Sequence, residues 1–298
     1  MIPLVRTPEE LERWRSAGRI ASRARDLGVT LVVPGARRRD VADRIESFIR
    51  SQGARPAFPT NLSRNDEAAH YTPSPDDAVA FEAGDLVKVD VGAHVDGAIA
   101  DTASTVEVGG TRRWENLIRA DREGLEAGIA RVRAGVEVDE IARAVAAAIR
   151  ARGFKPVVDL TGHSIEPYLL HAGKSIPNVP GHSSDTLVEG EVIAIEPFAT
   201  NGMGSIGNGP FGNIVRFRSD PGPNDPALAR MFGRFRTLPF TARWAETPEE
   251  LAALRRARRS LQTYPVFIER AHGWVAQAEH TVLVGAAGAE VLSAPIPE

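Results

Sequence analysis

Apolar and polar positions alternate along residues 86–95 and 98–108, the period of a half-buried strand, and Asp96-Gly97 between them predicts a two-residue hairpin turn. In that register residues whose numbers sum to 193 face each other, so Asp90 opposes Ala103 and Asp101 lies diagonally across on the same face. Val87, Val89, Val91 and Val95 take the other face and have a core to fill. The two aspartates therefore sit in apolar strands, where an uncompensated carboxylate is costly. Further strands are expected at 191–200 and 275–284, with a weaker signal in "FKPVVDL".

Helical periodicity covers 8–28, where Thr7, Pro8 and Glu10 supply an N-terminal capping box and Gly28 an end. It returns at 38–52, 113–133 and 137–152. At 248–262 Thr247, Pro248 and Glu250 repeat the opening of the first helix, with no other self-similarity visible along the chain. "RSDPGPNDPALARMFGRF" reads as a linker entering a helix, so a mostly helical insertion is expected between the strands ending near 200 and starting near 275. Helices mixed with antiparallel hairpins indicate an α+β fold.

Composition excludes several classes. Hydrophobic residues at 43% and charged ones at 25% exclude a disordered or fibrous chain. A net charge of −3 gives no footprint for nucleic acid or an acidic membrane. No apolar run is long enough to span a bilayer, and "MIPLVRTPEELERW" lacks the basic-then-apolar pattern of a signal peptide. A cytoplasmic protein is expected. Without cysteine there is no disulfide, thiolate nucleophile or cysteine zinc site, so any metal needs carboxylates and imidazoles.

Candidates for that role exist. "VIAIEPF" ends an apolar strand in Glu196, and "AQAEHTVLV" centres another on Glu279. Four acids in apolar strands repel one another, and cations relieve that repulsion. His163 and His171 stand in the glycine-bounded "TGHSIEPYLLHAG", and His70 precedes a proline-rich loop. Mixed histidine and carboxylate sets suit cobalt, manganese, iron or zinc. His94, His182, His272 and His280 read as structural or surface residues. "GMGSIG" at 202–207 fits a dinucleotide-binding glycine pattern but opens no helix and has no surrounding βαβ unit, so it is set aside.

Six blocks resemble those of a type 2 methionine aminopeptidase of the archaeal kind. They are "AFPTNLSRNDEAAHYTPSP", "VDVGAHVDGAIADTASTV", "TGHSIEPYLLHAGKSIPNV", "VIAIEPFAT", "TLPFTARWAE" and "YPVFIERAHGWVAQAEHTVLV", in the family's order and spanning nearly the whole chain. The resemblance implies a pita-bread fold as one catalytic domain over 1–298, with a helical insertion over 205–265. It implies two divalent metal ions (cobalt, manganese, iron or zinc) on Asp90, Asp101, His163, Glu196 and Glu279, with Asp101 and Glu279 shared between them. The family's two non-ligand histidines fall on His70 and His171, and the proton acceptor on Glu196. The methionine pocket falls on Phe58, Leu170, His171 and Tyr264, together with Phe267 and Pro239. A pocket histidine carried in the insertion by eukaryotic members has no counterpart in "GNGPFGNIVRF". The implied substrate is the N-terminal methionine of nascent polypeptides with a small second residue, taken by a monomer without membrane or specific nucleic-acid partners. An Xaa-Pro aminopeptidase on the same fold, and a non-catalytic binding protein on that scaffold, are the alternatives.

Overall fold

The computed structural model describes residues 7–257 and 261–294. The long hairpin forms as its alternation requires. Leu86–Val95 pairs antiparallel with Ala98–Glu107, Asp90 opposite Ala103, around a turn in which Asp96 and Gly97 have φ of 48° and 92°. Positive φ at both central residues is what joins two twisted strands with a two-residue turn, and it suits Asp-Gly. The hairpin lies inside a nine-stranded antiparallel sheet. Ala98–Glu107 continues into Glu279–Val284, then Val192–Ile195, Thr161–Ile165 and Ser175–Pro177.

Two helix pairs cover one face of the sheet. Pro8–Leu31 and Arg38–Ser51 bury Ala21, Ala24, Val41 and Ile45 against Val87, Val89 and Val91. Glu115–Ile129 and Val138–Ala151 bury Leu125, Ile141, Val145 and Ile149 against Ile193, Ile195 and Val282. The aspartates and glutamates are thereby left to the opposite face. Each pair ends in a glycine at positive φ, Gly53 or Gly153, followed by a short strand, Arg55–Pro56 or Lys155–Pro156. Gly35 and Gly135, Ala42 and Ala142, Ile49 and Ile149, Arg50 and Arg150, and Pro56 and Pro156 correspond at a constant offset. The chain thus carries an internal structural repeat, hidden in the sequence because its identities are few.

Several boundaries differ from expectation, each for a local reason. The first helix runs past Gly28 to Leu31, because Gly28 is a contact point and not a stop. A Cβ there would lie 2.7 Å from both Ile45 Cδ1 and Val89 Cγ1. The predicted strand 191–200 is two strands, Val192–Ile195 and Phe198–Thr200, because Glu196-Pro197 interrupts the ladder. The strand 275–284 likewise divides into Val275–Gln277 and Glu279–Val284. "FKPVVDL" contributes only Lys155–Pro156. The helix expected over 248–262 covers Pro248–Ala257. Residues 258–260 lie outside the described residues, and Leu261 already opens a strand. In the insertion, Pro226–Phe235 and Pro248–Ala257 are helical, but the twelve-residue strand Ile206–Phe217 was not anticipated and pairs with Leu261–Glu269. Gly207, Gly209 and Gly212 interrupt its side-chain alternation and hide it from a periodicity reading. Among the described residues, no helix is long and apolar enough to cross a membrane.

Candidate metal centre and active site

Asp90, Asp101, His163, Glu196 and Glu279 come from four different parts of the chain and line one cavity of about 220 Å³. The hairpin brings Asp90 and Asp101 to one face, and Glu279 pairs with Ala103 on the adjacent strand. His163 pairs with Ala194, one strand further on, and Glu196 lies just beyond Ile195. Ligand atoms of Asp101, His163 and Glu279 all lie within 4.8 Å of one another. His163 Nε2 is 3.7 Å from Asp101 Oδ2 and 3.6 Å from Glu196 Oε1.

The acids are held from behind and left open in front. Asn61 Nδ2 donates to Asp90 Oδ2 at 3.1 Å, and Gln277 Nε2 approaches Glu279 Oε2 at 3.4 Å. Thr281 Oγ1 accepts from the Asp101 N–H and donates to its carbonyl, while Asn178 holds the Glu196 carbonyl. Yet Asp90 Oδ1, Asp101 Oδ1 and Glu279 Oε1 are buried without any hydrogen-bond partner, a costly state for a carboxylate. Burial is the main reason the pKa values of all four acids are raised. It pushes Asp101 up to about 7 against the hydrogen bonds it receives, and it raises Asp90, Glu196 and Glu279 well above the ordinary range, with the other acids adding to the effect. Burial also holds the His163 pKa down to about 4, so its imidazole is neutral and can act as a ligand. Orphaned carboxylate oxygens converging on a neutral imidazole fit a divalent cation.

The remaining candidates form the walls. His70, Phe58, Leu170, His171, Pro239, Tyr264 and Phe267 all line the same cavity. Gly92 lets Phe58 in, because a Cβ there would stand 2.2 Å from its ring. His70 lies tilted against Phe267 and meets Tyr264 edge-on, with ring centroids 4.7 and 5.5 Å away. Its φ of 67° is a strained value for a non-glycine residue, of the sort concentrated at functional sites. Burial, then the charge of His171, lowers its pKa to about 4. His171 packs its ring on His163 at 4.4 Å and keeps an exposed edge at the cavity mouth.

The histidines expected to be structural are so placed. His94 Nδ1 accepts from the Gly97 N–H in the hairpin turn, His280 meets Ser293, and His272 pairs with Asp66. His182 is exposed in a loop. The "GMGSIG" segment wraps the carboxylate of Glu269, which accepts from the N–H groups of Met203 and Gly204. A larger cleft of about 720 Å³ beside the insertion shares only Pro239 with the site. Sequence reasoning missed Asn61 and Gln277. The usable signal for Gln277 was parity, since it precedes Glu279 by two positions.

Residues 12–286 match the model of metallopeptidase family M24, and the chain belongs to that family. It is 44% identical to the methionine aminopeptidase of Pyrococcus horikoshii over 286 residues, 92% of this chain and 96% of that one. Its fold is the pita-bread fold shared by family members of known structure. The crystal structure of methionine aminopeptidase from Thermotoga maritima superposes with a TM-score of 0.74 at 24% identity, covering 99% of this chain and all of that one. The structure of a thermophilic Arx1 superposes at 0.83 and 16% identity, covering 99% of this chain and 93% of that one.

Proposed function

We propose that this chain is a methionyl aminopeptidase that hydrolyses the first peptide bond of polypeptides beginning with methionine and a small second residue. The observation that carries this reading is the convergence of three acids with unpartnered oxygens, a fourth acid, Glu196, and a neutral histidine in a cavity whose wall also carries Phe58, Leu170, Phe198, Ile214 and Phe267. Asp90, Asp101, His163, Glu196 and Glu279 would hold two divalent ions. Such a pair supplies Lewis acidity and brings the pKa of a water toward neutrality.

The chain's own groups do the rest. Glu196 is the least buried of the metal-facing acids, its side chain 15% exposed against 7% for Asp101, and it accepts the proton of the attacking water. His70 and His171 are neutral at neutral pH and donate N–H to the oxyanion of the tetrahedral intermediate. Phe58, Leu170, Pro239, Tyr264 and Phe267 give the methionine side chain an apolar seat, and the confined volume excludes a large second residue. The chain acts as a monomer in the cytoplasm on nascent polypeptides. The test is release of methionine from Met-Ala-Ser with added manganese or cobalt, with EDTA as control and an Ala-Pro peptide as competitor class. Metal-dependent release from Met-Ala-Ser alone is expected. Preferential cleavage of Ala-Pro, or release that survives EDTA, would contradict the reading.

A further inference from the structure

The strand pair Ile206–Phe217 and Leu261–Glu269 carries a charge that the chemistry above does not use. Its two faces part company near the site. Val215 and Phe217 join the core of the insertion with Met231, Phe240 and Leu254, whereas Ile214 and its partner Tyr264 line the cavity. Arg216 and its partner Gln262 form the next rung on the Ile214–Tyr264 face. Two residues along a strand cover about 7 Å, so the guanidinium stands at the rim, just outside the methionine seat. Gln262 Oε1 accepts from Arg216 Nε at 2.8 Å and fixes the plane of the group.

Both terminal nitrogens of Arg216 are left without a partner among the described residues, and no carboxylate pairs with it there. That sets it apart from arginines packed elsewhere in the fold. Arg38 holds Glu67, Arg234 holds Glu250, and Arg243 holds Glu46. Its charge reaches the cavity: after desolvation and the charge of His163, it helps hold the His171 pKa down at about 3, and it opposes the desolvation that raises Tyr264.

We propose that Arg216, oriented by Gln262, is a subsite for a carboxylate two residues beyond the substrate methionine. The proposal rests on the aminopeptidase reading. An extended peptide advances about 3.3 Å per residue, so a substrate that runs outward along this strand from a methionine beside Tyr264 brings its third residue to Arg216. A half-buried guanidinium with its plane fixed and two terminal nitrogens free matches the two oxygens of a carboxylate. That carboxylate is either an Asp or Glu side chain at the third position or the terminus of a tripeptide.

Four peptides decide it with the metal-supplemented enzyme: Met-Ala-Glu-amide against Met-Ala-Gln-amide, and Met-Ala-Ser as free acid against its amide. The carboxylate member of at least one pair is expected to show a KM about tenfold lower with little change in kcat, a factor ordinary for a charge-assisted pair at a half-buried site. The pair that shows it names the source of the carboxylate. Arg216→Gln is expected to abolish the difference within that pair, and Arg216→Lys to keep part of it. Equal KM values within both pairs, or a preference that persists in Arg216→Gln, would overturn the subsite. If the wild type releases methionine from none of the four, the aminopeptidase reading fails and takes the subsite with it. That outcome is distinct from equal release.

Discussion

Glu269 and Asp101 are both buried acids, yet their surroundings have opposite designs. Glu269 is fully buried and accepts from the N–H groups of Met203, Gly204, Ala271 and Gly273. Burial pushes its pKa up, and the four donors together bring it below the ordinary value. Glu46 is equally enclosed and is met by Arg243, by the indole of Trp244 and by the N–H of Thr60. Glu191 has Lys174. In the cavity, Asp90, Asp101 and Glu279 keep oxygens with no partner, and their pKa values rise. Burial therefore does not mark a functional acid in this chain. Missing compensation alone does not either, since Asp121 is buried with both carboxylate oxygens unpartnered and lies outside the cavity. Several such acids converging on a neutral histidine do, and a bound cation is the compensation that fits.

The contrast can be broken from either side. The largest effect is expected from Asp101→Asn, which should lower kcat/KM for Met-Ala-Ser by on the order of a thousandfold or more and abolish tight metal uptake. The metal-free variant should melt no lower than the metal-free wild type, because an uncompensated acid has been removed. Calorimetry and metal analysis read both, and a large stability loss would place Asp101 with the structural acids. Glu46→Ala should do the reverse. It takes the carboxylate from Arg243, Trp244 and Thr60, leaves Arg243 paired with Asp43 alone, and should cost about 3 kcal/mol in urea unfolding, while the folded fraction keeps its metal. His171→Ala is expected to retain metal and to lower kcat by about a hundredfold, the ordinary cost of removing one oxyanion donor. Loss of metal in that variant would give His171 a structural task.

The smallest effect concerns pH. A carboxylate whose pKa is raised on folding binds more protons folded than unfolded, so stability falls as pH rises from the unfolded value toward the folded one. The histidines are lowered, so their effect has the opposite sign and runs out about one unit above their unfolded value of about 6.5, near pH 7.5. Above that pH the carboxylates act alone. Metal-free protein should lose stability as pH rises above about 7.5, mainly from Asp90, Glu196 and Glu279, which are raised well above the ordinary range, with a smaller part from Asp101 at about 7. Thermal melts with and without manganese should diverge over this range, and parallel melts would count against the cluster being uncompensated.

Much of this was legible in the residues. The hairpin, its turn and the face carrying Asp90 and Asp101 followed from a period of two and an Asp-Gly pair. The convergence of Phe58, His163 and Glu279 did not, because their separations exceed any local periodicity, and only the resemblance of whole blocks brought them together. Ile206–Phe217 escaped because its glycines erase alternation. Gly28 misled because a glycine can serve close packing as readily as a helix end. Asn61 and Gln277 escaped because neutral amides in strands attract no attention until the carboxylate each one holds is known.

The most direct measurement is anomalous X-ray scattering from crystals of the chain grown with manganese. Two peaks are expected inside the cavity, both within coordination distance of Asp101 and Glu279. No peak there at saturating manganese, with the acids instead paired to protein cations, would contradict the view that these carboxylates are buried for a metal.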